Sequence, residues 1–572
     1  MLLTLRVLPL CVAVALVTGC EKPSPAPRSA ILITLDTTRA DAVSCLGGRP
    51  GLTPNIDRLA AEGVLYERAF AVAPITAPSH SSMLTGLYPP RHGVRDNGLF
   101  RLPDSAVTIA EVARDAGVQT AAFVAASVLE PRFGMAQGFE RYDAPQTKTD
   151  ASGEHGAERP GAEVVELAIA WLRQRDPKRP FFLWVHLFDP HAPYAPPPEL
   201  RSGPAGGNPY LGDVALADRE IGKLLEFLRR DSALEQAAIV LAGDHGEAFG
   251  EHDEYSHGPY VWQTTLHVPL IVRSGARAGQ RSRATVSGVD VFATLAELLD
   301  LPLPSGVDGV SLVSTDPAED RGVYFESYTG FLAFEWSQLA GWADRRGKYV
   351  HSSEPQFFDL AADPKEARNV IEARAAEARR YLEALHQLSA LPALGEARTD
   401  PGARPDLAAL GYVTGATPDG ALPAPHATLQ RPSPQSRARS HARCIEAQSL
   451  AARRQLPAAV AILEEIAARE PDNWFALDLL AGFWMTLGRV GDAHGLLERM
   501  AQQGPPWGKV WFKLGMCRKA AGNLSGTIEA LERAYVLDPS QAQCRQMLIE
   551  SLRAAGRNAE AERYALPAAP AK

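Results

Sequence analysis

The chain has 572 residues, 46% of them hydrophobic and 22% charged, a composition typical of a globular protein. A chain of this length exceeds the usual size of a single hydrophobic core, so we expect at least two domains. Its formal net charge of −9 and its pI near 5.9 argue against nucleic acid as a partner, because no basic tract is present to neutralise phosphates.

The first twenty residues, 1–20, are typical of an export signal. A short positive start precedes the apolar run Val7–Val17, which is too short to span a bilayer. The segment ends in Leu-Val-Thr-Gly-Cys at Cys20 and resembles the bacterial lipoprotein signal, in which that cysteine is lipidated; a plain secretory signal or a short anchor is the alternative. Residues 21–29 then form a tether. We expect an exported, lipid-anchored envelope protein on the periplasmic side, with the outer membrane favoured in a Gram-negative cell, because Glu21 follows the cysteine.

Alternating strands and helices follow the tether. Three apolar runs ending in acids or histidines read as buried strands, Ala30–Asp36, Phe181–Asp189 and Ala238–His245. Four amphipathic stretches predict helices, and they are 55–62, 108–116, 162–175 and 211–230. This alternation predicts an α/β sheet covered on both faces, within a domain that we place at residues 30–395.

A repeat occupies the C-terminal part of the chain. Residues 396–437 are rich in Pro, Gly and Ala and read as a linker. Beyond it, prolines recur every 34 residues and so do glycines, at Pro471, Pro505, Pro539, Gly488, Gly522 and Gly556. This period resembles tetratricopeptide (TPR) repeats and predicts an all-α solenoid over residues 438–566, followed by a tail at 567–572. Such an array binds a protein partner, or it packs on the rest of the chain or mediates self-association. If it recruits a partner, removing residues 436–572 should leave turnover of small substrates intact.

Polar residues follow each of the three predicted strands. They are Asp36, then Asp189 with His191, then Asp244 with His245, and a histidine-rich loop follows at residues 250–258. A single histidine is often structural and a single Asp often caps a helix, so each has an ordinary explanation. Together they predict a metal site at one edge of the sheet, and mixed oxygen and nitrogen ligands suit zinc or manganese better than calcium.

Several blocks of the chain, in the same order, resemble the sulfatase family of the alkaline phosphatase superfamily. The opening blocks are Asp36–Asp41 and Thr53–Val64, and the later blocks are Gly243–Glu247, Val268–Val272, Asp290–Leu295 and Phe357–Asn369. The resemblance covers about residues 29 to 390. It implies an alkaline-phosphatase-like sandwich with a smaller C-terminal subdomain.

The nucleophile motif of that family differs here. Sulfatases read Cys or Ser-x-Pro-x-Arg before Leu-Thr-Gly, and the Cys or Ser is oxidised to formylglycine. This chain has Thr76-Ala77-Pro78-Ser79-His80 before Leu84-Thr85-Gly86, with a predicted helix from about Ser79. Threonine is not a known source of the formylglycine aldehyde, and His80 replaces the arginine that steadies its hydrate.

The implied metal site also differs from that of typical sulfatases. Thr37 stands where sulfatases have a second acid, His245 replaces an asparagine, and His257 aligns with the catalytic lysine. These changes resemble the phosphoryl-transfer branch of the superfamily, in which a metal-bound threonine attacks phosphorus. The resemblance implies Asp36, Thr76, Asp244 and His245 as metal ligands, and Thr76, His80, Asn97, His191 and His257 as catalytic residues. His186, Asp189 and His252 are candidate ligands of a second ion.

The leading hypothesis is a metal-dependent hydrolase or transferase that acts on a phosphoester or phosphodiester through a phospho-threonine. The substrate would be a small molecule or an envelope component, and the ion zinc, with manganese or calcium as alternatives. A sulfuric-ester hydrolase without formylglycine is the second hypothesis, because the family similarity favours that activity. A TPR scaffold with a vestigial enzyme domain is the third, although the intact ligand set argues against it.

Overall fold

The computed structural model describes residues 28–145, 148–149, 155–156, 158–231, 235–275, 277–398 and 421–565. The predicted signal with Cys20, most of the tether, part of the linker and the tail lie outside the described residues. Within them, no helix is long and apolar enough to cross a membrane.

An eight-stranded sheet forms the centre of the N-terminal part, in the order β11-β2-β10-β9-β1-β8-β4-β5. The central strand β1 is parallel to both of its neighbours, whereas β10 runs antiparallel to β9 and β2, so the sheet is mixed. A four-stranded antiparallel sheet of β12–β15 forms a smaller unit after it. The strands are β1 Ala30–Leu35, β2 Val64–Phe70, β3 Phe100–Arg101, β4 Gln119–Phe123, β5 Arg141–Asp143, β6 Lys148–Thr149, β7 His155–Gly156, β8 Phe181–Leu187, β9 Ala238–Gly243, β10 Leu270–Arg273, β11 Gln280–Ser287, β12 Val323–Ser327, β13 Leu339–Asp344, β14 Gly347–His351, β15 Gln356–Phe358 and β16 Ala397–Arg398.

Helices pack around the large sheet, and the α/β prediction is confirmed. The four helices expected from the sequence are α1, α4, α5 and α6, each within two residues of its predicted bounds. The helices of this part are α1 Pro54–Glu62, α2 Thr76–Thr85, α3 Pro89–His92, α4 Ile109–Asp115, α5 Gly161–Gln174, α6 Pro209–Arg229, α7 Gln263–Leu266, α8 Asp290–Leu298, α9 Thr329–Phe334 and α10 Ala375–Ser389. Strands β1, β8 and β9 are buried along their whole length, which explains why they read as continuous apolar runs.

Strand register sets where the polar residues leave the sheet. Leu35 at the end of β1 pairs with Leu187 on one side and with Gly243 on the other. Asp36 and Asp244 therefore follow directly on adjacent strands, at the same edge. This edge carries the candidate site.

The C-terminal part is helical. Its helices are α11 Pro434–Ala452, α12 Leu456–Arg469, α13 Trp474–Thr486, α14 Val490–Gln503, α15 Gly508–Ala520, α16 Leu524–Leu537, α17 Ala542–Ala554 and α18 Asn558–Ala565. Helices α13, α15 and α17 begin 34 residues apart, and so do α14, α16 and α18. Gly488, Gly522 and Gly556 all take the left-handed backbone conformation, with φ between 74° and 76°, which favours glycine where one helix of each pair ends. The sequence period is thus a regular array of helix pairs.

Candidate metal and nucleophile site

Two carboxylates lie side by side where β1 and β9 end. Asp36 and Asp244 are fully buried, and within the described chain neither Asp36 Oδ1 nor Asp244 Oδ2 has a hydrogen-bond partner. Burial raises the pKa of both carboxyl groups, and the neighbouring Asp36 charge adds to the rise for Asp244. Two buried carboxylates with free oxygens are costly unless a cation compensates them, so this pair fits a metal ligand set.

The turn after β1 orients the second carboxylate. Thr37 has a φ of 45°, a left-handed conformation that is unfavourable for a β-branched residue. In this conformation its N–H donates to Asp244 Oδ1 at 3.2 Å, and the N–H of His245 donates to the same oxygen at 2.6 Å. Two backbone donors thus hold Oδ1 and leave Oδ2 of Asp244 free.

His245 presents a free ring nitrogen to the carboxylates. Its Nδ1 lies 3.0 Å from the carbonyl oxygen of Gly246, which only accepts, so Nδ1 carries the proton and Nε2 keeps its lone pair. Nε2 is 3.8 Å from Asp36 Oδ1 and 3.6 Å from Asp244 Oδ2. Burial holds the pKa of His245 well below its usual range and keeps the ring neutral. Ligand atoms of the three residues lie within 4.8 Å of one another, a donor set that fits zinc or manganese.

Thr76 is the first residue of α2, and its side chain faces this group. Its Oγ1 lies 3.4 Å from Asp36 Oδ2 and 3.4 Å from His245 Nε2. The helix begins at Thr76 rather than near Ser79, because Pro78 falls within the first turn, where its missing N–H removes no helical hydrogen bond. Gly86 ends the helix in a left-handed conformation, and a Cβ there would lie 2.5 Å from Val307. The polar helix is therefore fixed at both ends.

Asn97, which lies outside α2, contacts the first turn of that helix. Its Oδ1 accepts a hydrogen bond of 2.8 Å from the N–H of Ala77, and this donor fixes the orientation of the amide. The Nδ2 group is buried and has no partner among the described residues. Asn97 thus offers an unused amide donor beside Thr76.

Two histidines lie at the outer side of the group. His191 stacks on Phe188 at 4.2 Å between ring centroids, and His257 lies 5.3 Å from His191 and 4.6 Å from His245. Burial lowers the pKa of His191, although Asp36 partly opposes this. Burial also disfavours the charged form of His257, but Glu247 Oε1 lies 3.2 Å from its Nδ1 and raises the pKa of His257 overall. The site thus has one basic and one neutral imidazole at its rim.

Glu247 is a residue whose role the sequence analysis missed. It follows Asp244 and His245 in the block Gly243–Glu247, and this acid at the end of the block was the available signal. Its second oxygen, Oε2, accepts from Tyr194 Oη at 2.9 Å. Its carboxylate orients His257.

His80 lies beneath the site and both of its nitrogens are used. Nδ1 is 2.9 Å from the carbonyl oxygen of Thr76, and Nε2 is 3.1 Å from Thr34 Oγ1. That carbonyl oxygen only accepts, so Nδ1 carries the ring proton and Nε2 accepts from the Thr34 hydroxyl, which itself accepts from Trp184 Nε1 at 2.9 Å. Burial lowers the pKa of His80 to about 3. His80 therefore supports the turn that carries Thr76.

His186 lies next to the acid pair. Its Nδ1 accepts from the N–H of Ala125 at 3.3 Å, so the proton is on Nε2, which lies 3.3 Å from Asp36 Oδ2. His186, His80 and Asp244 form a second group with ligand spacing, but in these tautomers both histidines hold protons on the nitrogens that face the acids. His186 Nε2 thus lies near Asp36 without a hydrogen bond among the described residues.

Two residues predicted for a second ion lie elsewhere. Asp189 Oδ1 accepts from the N–H of Gly161 at 3.1 Å, at the start of α5, and its carboxylate belongs to neither group with ligand spacing. His252 stacks on Trp262 at 4.0 Å, and its Nε2 lies 2.9 Å from the carbonyl oxygen of Lys365. The backbone after β8 and the loop at residues 250–258 direct these side chains away from the centre.

Known proteins resemble this chain in sequence and fold. The model of the sulfatase family matches residues 28–301. The ulvan-active sulfatase of Formosa agariphila is 25% identical over 403 residues, covering 61% of this chain and 78% of that protein. The phosphonate monoester hydrolase of Agrobacterium radiobacter superposes with a TM-score of 0.54 at 23% identity, covering 64% of this chain and 95% of that one. The protein BT4656, solved with its substrate D-glucosamine-2-N,6-O-disulfate, gives 0.53 at 22% identity, with 64% and 97% covered. These structural likenesses show an alkaline-phosphatase-like α/β fold, and the family match supports a sulfatase-family assignment for the N-terminal part.

Proposed function

Since residues 28–301 match the sulfatase family, we propose that the N-terminal part is a metal-dependent hydrolase or transferase that cleaves a phosphoester or phosphodiester through Thr76. The observation that carries the proposal is the position of Thr76 Oγ1, at 3.4 Å from both Asp36 Oδ2 and His245 Nε2. A hydroxyl at the buried end of a helix, beside Asp36 and His245 of a group with ligand spacing, is suited to act as a nucleophile.

Asp36, Asp244 and His245 would hold a divalent cation, with Thr76 Oγ1 as a further ligand. Zinc fits these donors best, with manganese or calcium as alternatives and one or two ions in total. A bound divalent cation lowers the pKa of a coordinated hydroxyl and offsets the charge of the carboxylates.

Each residue of the site would have a separate role in the reaction. Thr76 Oγ forms a bond to phosphorus as its proton passes to water, and the bond from phosphorus to the ester oxygen breaks. Asn97 Nδ2 donates to a non-bridging oxygen, and His257, which Glu247 makes more basic, protonates the departing oxygen. His191 stabilises charge on the transferring group. Water or an acceptor alcohol finally displaces Thr76 and regenerates the hydroxyl.

A sulfuric-ester hydrolase is the second candidate, and the family match favours it. A formylglycine hydrate carries a second hydroxyl that expels sulfate by elimination, whereas a sulfated threonine has none. The chain would have to release sulfate by direct attack of water on sulfur. This difference is why we propose phosphoryl transfer first.

One assay separates these candidates. The purified full chain is given an aryl phosphodiester, an aryl phosphomonoester and an aryl sulfate, in parallel with Thr76→Ala and with His252→Ala as a control outside the site. We expect the phosphodiester or phosphomonoester to be turned over fastest and Thr76→Ala to be inactive. Dominant sulfate-ester turnover that survives in Thr76→Ala would contradict the proposal. Metal-free purified protein with no activity on any ester would favour the vestigial scaffold instead.

We also propose that the chain is exported and lipid-anchored at Cys20, on the periplasmic side. The support is the sequence of residues 1–20 alone. The full-length chain should incorporate labelled fatty acid and fractionate with membranes, and Cys20→Ala should lose both. An unlabelled wild-type chain would contradict the anchor.

Finally, we propose that helices α11–α18 form TPR repeats that bind a protein partner. The 34-residue spacing of helix starts supports this. A defined protein should co-purify with the full chain and should be lost in Met516→Glu, a half-exposed position on α15, while turnover stays unchanged. Failure to retain any defined protein would contradict the proposal.

A further inference from the structure

The helical array is in close contact with the enzyme part. Ala438 of α11 is buried in the same hydrophobic cluster as the strands of the large sheet. The preceding segment is also bound, because Gln338 Nε2 donates to the carbonyl of Ala427 at 2.6 Å and the N–H of Ser337 donates to that of Pro432 at 2.8 Å. The described end of the predicted linker, residues 421–433, is therefore packed on the enzyme.

An aromatic cluster forms the middle of this contact, and His441 of α11 is at its centre. Around the ring of His441 are Phe334 at 4.9 Å, Trp336 at 5.4 Å and Tyr260 at 6.0 Å between centroids. Phe475 of α13 packs on Phe334 at 4.9 Å. Rings of the array and of the enzyme part therefore pack directly against one another.

Tyr260 connects this cluster to the segment that carries His257. Its side chain is fully buried, and its Oη lies 3.3 Å from Nδ1 of His441. Burial raises the pKa of the Tyr260 hydroxyl and lowers that of His441 to about 4, so the hydroxyl donates and the neutral ring accepts. Only Gly258 and Pro259 separate Tyr260 from His257.

The other fixed points of the segment belong to the enzyme part. Ser327 Oγ donates to the carbonyl of Gly258 at 2.5 Å, and the N–H of Ala248 donates to that of Ser256 at 3.1 Å. His257 itself is held by Glu247. The segment 256–260 is thus held by the enzyme part at Ser256, His257 and Gly258. At its C-terminal end, Tyr260 is covered by His441 of the array.

We propose that the helical array positions the active site: His441, through Tyr260, fixes the segment 256–260 and so sets the place of His257 against His245. His441 is a positioning residue, since it lies outside the group of Asp36, Asp244 and His245. The inference rests on the proposed function for its effect on turnover, but not for its effect on the segment. Removal of the array should therefore lower turnover, whereas the sequence alone led us to expect unchanged turnover if the array recruits a partner.

The test uses three variants of the full chain. His441→Ala removes the ring, His441→Phe keeps the aromatic packing but removes the acceptor, and Tyr260→Phe removes the donor. His494→Ala is the matched control, because His494 lies on α14 and pairs with Glu498 within the array. Each protein is compared with the wild type by hydrogen–deuterium exchange of the peptide covering residues 250–262 and by kcat and KM on an alkyl and an aryl phosphodiester.

We expect His441→Ala to speed exchange in the 250–262 peptide, with peptides from β1 and β9 unchanged, and to lower kcat on the alkyl ester about tenfold, because small misplacements of catalytic groups are costly. The aryl ester, whose leaving group needs less help from an acid, should lose less, and KM should change little. His441→Phe and Tyr260→Phe should show the same pattern more weakly, and His494→Ala none.

Unchanged exchange in all three variants, or faster exchange with an unchanged kcat, would overturn the inference. Equal loss of protection throughout the enzyme part would also overturn it, since it would show a general loss of stability. If the wild type turns over neither ester, the proposed function fails, and the exchange data alone still decide whether the array holds the segment.

Discussion

Replacing Asn97 tests the chemistry of the site most sharply, because its two amide atoms have separate tasks. Oδ1 accepts from the N–H of Ala77 at 2.8 Å and holds the start of α2, whereas Nδ2 is buried without a partner in the described structure. Asn97→Asp keeps the acceptor and removes the donor. Asn97→Ala removes both.

The expected magnitudes follow from these contacts. Loss of one donor to the transferring group lowers kcat by about 10²–10³-fold, so Asn97→Asp should lose at least this much, and its buried carboxyl group should also lower the melting temperature. Asn97→Ala should lose similar activity and also about 1–3 kcal/mol of stability, because the N–H of Ala77 is left buried and unpaired. Asn523→Ala is the matched control, since Asn523 Oδ1 accepts from the N–H of Gly526 at 2.9 Å in the array.

The assay measures kcat/KM on an aryl phosphodiester together with the thermal unfolding midpoint of each variant. The control should lose stability and keep its activity. If Asn97→Asp retains kcat/KM within about threefold of the wild type, Nδ2 makes no contact that matters in the transition state. Such a result would refute a role for Asn97 as donor to the transferring group.

Three further predictions concern the metal ligands and the rim. Chelation should abolish turnover and lower the unfolding midpoint, and zinc should restore both; full activity after exhaustive chelation would contradict the ligand assignment. Asp244→Asn should contain less bound metal than the wild type by elemental analysis. His252→Ala should keep the metal content and the activity of the wild type. An equal loss of metal in both variants would show that His252 is also a metal ligand. Glu247→Gln should lower kcat about tenfold or more on alkyl esters and less on aryl esters, because the pKa of His257 falls and fewer His257 rings carry the proton to be donated; identical losses on both would place Glu247 in folding alone.

The sheet and its polar edge were predictable because buried strands have a local signature. Continuous apolar runs that end in Asp36 and in Asp244 mark two strands, and parallel pairing with matched ends brings those ends together. The helix pairs were predictable for a similar reason, since the 34-residue period is visible at Gly488 and Gly522 without any knowledge of contacts.

Other features depended on contacts between distant parts of the chain. His80 read as a substitute for a catalytic arginine, but its Nδ1 faces the carbonyl oxygen of Thr76 and its Nε2 faces Thr34, which lies 46 residues away in sequence. The helix α2 was expected from about Ser79 but begins at Thr76, because Pro78 is tolerated in its first turn. The contact of His441 with Tyr260 joins residues 181 positions apart in sequence. No motif or periodicity in the sequence predicted it.

The most direct test of the account is to look for the group on Thr76. The full chain is mixed with an aryl phosphodiester, quenched in acid during turnover, digested and mapped by mass spectrometry. If Thr76 is the nucleophile, the Thr76 peptide of the wild type carries a substituted phosphoryl group, and the same peptide of Thr76→Ala carries none. An adduct on another residue, or steady turnover by Thr76→Ala, would contradict it.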